Sequence, residues 1–174
     1  MLPLHPKLVH LPIALAVLMP LLLLGLGLAI RKLWLPQRAW FLALALQGLL
    51  LGGGFAARWS GERDEHRVEG RVPEGALKAH EQAANLFLVG AGGVLVLVAA
   101  GAFARRPGTS LGLMGASFAG SLLVLGLGYR VGEAGGQLVY GPGGVAGSAG
   151  PQGSPAPESN GHDEAREHEG REHP

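Results

Sequence analysis

Apolar residues in this chain gather into four long stretches that contain no charged residue. Residues 11–30, 39–57, 83–104 and 109–129 form these stretches, which hold 20, 19, 22 and 21 residues respectively. About 20 apolar residues are enough for a helix to cross the hydrocarbon core of a bilayer. The pattern therefore predicts four membrane-spanning helices, at about 11–30, 39–57, 80–104 and 110–130.

Short polar segments between these stretches predict how the helices are connected. The turns at residues 31–38 and 105–108 are short, and short loops join antiparallel neighbours. We therefore expect an all-α membrane protein, an up-down-up-down four-helix bundle with both termini on the same side of the membrane.

The positive charges around the first helix predict its orientation. One basic residue, Lys7, precedes this helix and three follow it in residues 31–38, and the more basic flank of the first helix usually faces the cytoplasm. The total number of Lys and Arg residues favours the opposite orientation, because the terminal side carries seven up to Arg130 and the turns carry five. Five of those seven lie in or beside one longer loop, so we expect cytoplasmic turns and, in a bacterium, periplasmic termini.

Two segments follow the fourth predicted helix. Residues Gly132 to Tyr140 contain the pair Gly135-Gly136 before Leu-Val-Tyr, and we expect them to turn back over the mouth of the bundle, because adjacent glycines permit a tight turn. Residues 147–174 are rich in Gly, Pro, Ser, Glu and His and offer little apolar surface to bury. They predict a disordered polar tail outside a single transmembrane domain, residues 1–146.

Composition excludes several classes of function. The chain has no cysteine, so it has no disulfide framework, thiolate metal site or cysteine nucleophile. A net charge of +1 gives no basic surface for nucleic acid. No nucleophile and base are spaced as a catalytic pair, so no catalytic residue is assigned, and the chain is more simply read as a protein without enzymatic activity.

Two histidines predict a cofactor site on the terminal side of the membrane. His10 and His80 stand at the heads of the first and third helices, where an imidazole is costly and often functional. Small residues lie one turn below each, and helical bundles hold cofactors between side chains of facing helices. Two imidazoles can ligate haem iron, and Arg58 and Arg130 end the other two helices on the same side. We therefore consider a haem b site of His10 and His80, with Arg58 and Arg130 for the propionates.

Other interpretations of these residues stay open. His5, His10 and His80 could instead form a three-imidazole copper or zinc site, joined by His66 and Glu62. The tail histidines could bind metal loosely, although a solvated acidic tail is the simpler explanation. Each histidine taken alone is more simply a solvated group at the lipid headgroups, and each arginine a cation that reaches the membrane surface.

Two motifs resemble a known family. The opening HPKLVHLPIAL and the closing GGQLVYGPGGV are similar to the motifs of the bacterial membrane family catalogued as domain of unknown function 2231. Leu11 replaces the phenylalanine common in that family's opening motif. The resemblance covers about residues 3–146 and implies a four-helix membrane domain of the inner membrane, without an established activity.

These observations leave three function classes. The first is a haem b-binding electron-transfer module that works with a membrane or periplasmic redox partner. The second is a cofactor-free membrane module, an accessory subunit that packs against partner subunits through glycine-rich helix faces. The third is a metal-handling membrane protein. All three place the chain in a lipid bilayer.

Overall fold

The computed structural model describes residues 9–65 and 73–141, which form four long helices and one short turn of 3-10 helix. These elements are α1 (His10–Arg31), the 3-10 turn η1 (Gln37–Ala39), α2 (Trp40–Glu65), α3 (Glu74–Phe103) and α4 (Pro107–Tyr140). The described residues contain no β-strand. Each of the four helices is long and apolar enough to cross a membrane. The predicted all-α membrane bundle is therefore confirmed.

The helices pack as a square in chain order. Helix α1 contacts α2 and α4, and α3 contacts the same two helices, so α1 and α3 lie on one diagonal. Helices α3 and α4 form the most extensive pair. The short connections at both turns make sequential neighbours antiparallel, so the bundle runs up-down-up-down.

The interior of the bundle is filled by apolar side chains from all four helices. Met19, Leu23, Leu50 and Val98 are each at most 1% exposed. Lipid tails are as apolar as these side chains, so close packing rather than exclusion of water must hold the helices together in the bilayer. Glycines allow that close packing, since a Cβ on Gly120 would lie 2.9 Å from Val94 Cγ2 and one on Gly90 would lie 3.1 Å from Leu127 Cδ1.

The turn side of the bundle is fastened by polar side chains. The indole of Trp40, 0% exposed, donates its N–H to the carbonyl of Val98 at 2.9 Å. Gln37 donates to the Ala104 carbonyl at 2.9 Å, and the Ser110 hydroxyl donates to the Gly101 carbonyl at 3.2 Å. The last carbonyls of a helix lack partners within it, so the contacts to Gly101 and Ala104 satisfy the end of α3. Together the three contacts tie α3 to η1, α2 and α4.

The predicted fold-back of Gly132 to Tyr140 is wrong. These residues continue α4, which runs unbroken through Tyr140. Gly135 allows close approach between helices instead of a turn, because a Cβ at this position would lie 3.3 Å from Cε1 of His80 on α3, whereas one on Gly136 would meet no atom within 4 Å. At about 1.5 Å per residue the 34 residues of α4 measure about 51 Å, longer than the ~30 Å hydrocarbon core. One end of α4 therefore extends beyond the apolar layer.

Several predictions concern residues outside the described ranges. These residues are His5, His66 and the tail 147–174. Their proposed roles in metal binding, and the disorder of the tail, stay predictions.

Candidate functional site

His80 lies inside the bundle near its terminal-side end. Its imidazole is half-buried and stands against Gly135 of α4. One, two and three turns further along α3 follow Ala84, Phe87 and Ala91, of which Phe87 is 8% exposed and Ala91 0%. The helical face that carries His80 is therefore the face that packs into the bundle.

His10 occupies a similar depth but points to a different side. It is the first residue of α1 and is exposed. Ala16 and Phe87 lie at the same level, because a Cβ added to Gly128 would be 4.0 Å from Cβ of Ala16 and 3.4 Å from Cε2 of Phe87. His10 lies six residues before Ala16 and His80 seven before Phe87, about 9 and 10 Å along their helices at 1.5 Å per residue. The residues one and two turns below His10 are Ala14, which is exposed, and Val17, which is 53% exposed. The face of α1 that carries His10 is therefore its outer face.

The two arginines are also exposed. Arg58 donates from Nε to Oε1 of Glu62 at 2.9 Å, one turn along α2. Arg130 lines a small cleft of about 200 Å³ between α3 and α4 together with Glu133 and Gln137. Arg58 is thus engaged with a carboxylate of its own helix, and Arg130 lies beside one.

This geometry does not fit a haem between His10 and His80. His80 is half-buried on the face of α3 that packs into the bundle, whereas His10 is exposed on the outer face of α1, so the burial of the two side chains gives no support to a cofactor held between them. The space below them is filled by buried side chains such as Leu15, Phe87 and Leu88. Within residues 9–65 and 73–141, no group of three or more His, Asp or Glu side chains is placed to hold a metal. A metal site that includes His5 stays a prediction.

Buried polar side chains lie deeper in the bundle than the histidines. Gln47 of α2 is 1% exposed and donates from Nε2 to the Ala91 carbonyl of α3 at 3.0 Å. Ser117 and Ser121 of α4 are also buried, and their hydroxyls donate back to the carbonyls of Leu113 and Phe118 at 2.8 and 2.7 Å. These residues join helices or satisfy their own backbone. Sequence inspection could have marked them as polar residues within uncharged spans.

The outer face of α4 differs from that of α1. Between residues 112 and 121, every exposed residue of α4 is small, namely Gly112, Gly115, Ala116 and Ala119. A Cβ added to Gly112 or Gly115 would meet no atom within 4 Å, so packing within this chain does not require glycine at either position. The exposed residues of α1 are mostly large, and include Leu11, Ile13, Val17, Leu18, Leu21, Leu24 and Leu28. We call residues Gly112, Gly115, Ala116 and Ala119 the small face of α4.

The four apolar helices and their antiparallel packing define a multi-pass membrane protein. A family described as "predicted membrane protein (DUF2231)" matches residues 1–146. Because the match covers most of the chain, the chain belongs to this family. No curated protein and no solved structure matches it significantly.

Proposed function

We propose that this protein is a cofactor-free membrane module that packs against a helix of another membrane subunit through the small face of α4. The observation that carries the proposal is the set of exposed small residues Gly112, Gly115, Ala116 and Ala119, at whose glycines an added Cβ would meet no atom within 4 Å. Small residues on a membrane helix let another backbone approach closely, and van der Waals contact then holds the two helices together.

Contact with lipid alone does not account for this face. The exposed apolar positions of α1 are mostly leucine, isoleucine and valine, which fill the space beside lipid tails, and the small residues Ala14 and Gly25 are isolated among them. Glycine at an exposed helix position instead costs up to about 1 kcal/mol relative to alanine. Two such glycines on one face are consistent with a partner helix that compensates this cost. The chemistry of the partner is that of an apolar membrane-spanning helix.

Single-cysteine photocrosslinking tests the proposal. The chain has no cysteine, so Leu123→Cys introduces the one thiol to which a benzophenone maleimide can attach. Leu123 is 65% exposed one turn beyond Ala119, so the label lies at the edge of the small face and leaves the small residues uncovered. In native membranes, illumination of the labelled variant should produce a protein adduct, because the proposed partner backbone passes close to this edge.

Val17→Cys is the matched control, since Val17 is 53% exposed on the outer face of α1. The same label there should react with lipid and give little protein adduct. Equal yields of protein adduct from both positions, or none from Leu123→Cys, would contradict the proposed packing surface.

The absorbance spectrum distinguishes the proposed cofactor-free module from the haem-binding alternative. We expect the protein purified in detergent from haem-sufficient cells to show no haem bands before or after dithionite, because His10 lies on the outer face of α1. Reduced haem bands that disappear in both His10→Ala and His80→Ala would restore the electron-transfer interpretation. A tail variant with His162, His168 and His173 replaced by alanine is the control for adventitious binding.

The proposed packing does not depend on how the bundle is oriented. The basic flank of α1 favours cytoplasmic turns and periplasmic termini, and we retain this orientation in the inner membrane as part of the proposal. The small face lies in the half of α4 that is nearer the turns. The partner helix therefore approaches α4 in that half of the membrane.

A further inference from the structure

An open groove lies at the turn side, between the end of α1 and the beginning of α4. Its volume is about 700 Å³, and its lining includes Arg31 and residues 33–37 on one side and Pro107, Gly108, Leu111 and Met114 on the other. A Cβ added to Gly108 would meet no atom within 4 Å, so the groove is open at this point. The groove combines one cation with apolar walls that continue along α4.

The charge around this groove has a single sign. The two turns carry five cations, and neither turn contains Asp or Glu. These cations are Arg31, Lys32, Arg38, Arg105 and Arg106. In the described part of the chain, both recorded ion pairs lie on the terminal side, at Arg58–Glu62 and Lys78–Glu74. The turn side therefore attracts anions. The preference for basic residues on the cytoplasmic side of a membrane explains this charge, but it does not explain why a groove lies beside it.

The loop beside the groove exposes large apolar side chains. Leu33 is 90% exposed and Trp34 73%, and the ammonium of Lys32 lies 4.9 Å from the centre of the Trp34 ring. Leu33 has φ of 59°, a left-handed conformation that glycine usually takes after a helix end. Leucine in this conformation has a higher conformational free energy than glycine would have, yet the exposed Leu33 occupies the position. Tryptophan is enriched where a membrane meets water, so this loop lies at the headgroup level.

We propose that the groove binds one anionic phospholipid from the leaflet that the turns face. The phosphate lies by Arg31, within reach of the neighbouring cations, and an acyl chain follows Leu111 and Met114 along α4. Basic pockets between membrane helices bind acidic lipid headgroups in this way. The charge of the turns and the apolar floor of the groove select this occupant over a zwitterionic lipid or a soluble anion.

Native mass spectrometry of the intact chain in detergent tests the proposal. With added dioleoyl phosphatidylglycerol, we expect one lipid to be retained at concentrations at which dioleoyl phosphatidylcholine is not. Arg31→Gln should weaken binding of phosphatidylglycerol about fivefold, the effect of one cation near a membrane surface. Arg130→Gln is the matched control, because it removes an equal charge on the terminal side and should change binding less than about twofold.

A second variant tests the groove without a change of charge. Gly108→Leu fills the open space beside Gly108 and should also reduce retention of phosphatidylglycerol severalfold, while the melting temperature of the lipid-free protein shows that the bundle is intact. Equal retention of the two lipids, equal losses in Arg31→Gln and Arg130→Gln, or full binding by Gly108→Leu would each overturn the proposal. Displacement of the lipid by millimolar inorganic phosphate would also overturn it, since the site would then bind a soluble anion.

Discussion

Trp40→Ala is expected to destabilise the bundle by about 3–5 kcal/mol, the usual cost of removing a large buried aromatic side chain. Trp40 is 0% exposed, and its indole rests on Gly101, where a Cβ would lie 3.0 Å from Nε1. The substitution leaves a cavity where η1, α3 and α4 meet and also removes the hydrogen bond to the Val98 carbonyl. Unfolding in detergent, followed by circular dichroism against a denaturant, measures the loss.

Two further substitutions separate packing from hydrogen bonding. Trp40→Phe keeps an aromatic ring but removes the N–H donor. It should destabilise the bundle less than Trp40→Ala does, but still by about 1 kcal/mol, because the hydrogen bond is lost. Trp59→Ala is the control, because Trp59 is 57% exposed and contacts the Arg63 guanidinium at 3.7 Å. It should cost at most about 1 kcal/mol. Similar losses for Trp40→Ala and Trp59→Ala would show that the turn side is not fastened by Trp40.

Gly120→Leu is expected to cost about 1–3 kcal/mol, because it forces extra atoms into a packed interface. A Cβ at this position already lies 2.9 Å from Cγ2 of Val94, and Val94 is 3% exposed on α3. Valine is restricted at χ1 in a helix, so it cannot move aside easily. The melting temperature of the purified protein in detergent should fall.

Gly115→Leu is the matched control on the same helix. A Cβ there meets nothing within 4 Å, so the isolated protein should melt at the same temperature as the wild type or slightly higher, since leucine favours helix more than glycine does. Equal destabilisation by Gly115→Leu and Gly120→Leu would show that the two glycines do not lie on different sides of α4.

The sequence predicted the four helices well because each apolar stretch matches the thickness of a bilayer. It could not predict which face of each helix turns inward, because a membrane helix is apolar all round and its periodicity carries little information. His10 and His80 illustrate the difference. Each has small or apolar residues below it, yet Ala14 lies outside the bundle and Ala91 inside.

The structural role of each glycine is a second feature that the sequence does not reveal. The pair Gly135-Gly136 predicts a turn, but Gly135 lies in a helix and admits the imidazole of His80. Gly112, Ala116 and Gly120 recur every four residues, yet Gly120 packs against Val94 while Gly112 and Ala116 are exposed. A glycine in a sequence does not reveal whether it provides a turn, a contact within the chain or a surface for another helix.

The central claim is that the small face of α4 contacts a partner helix, and steric blocking of this face tests it most directly. Gly115 lies within the small face, so Gly115→Leu places a bulky side chain where the partner backbone would pass. We predict that adding Gly115→Leu to the labelled Leu123→Cys variant reduces the protein photoadduct in native membranes at least tenfold, without lowering the melting temperature. An undiminished adduct in the double variant would contradict the account.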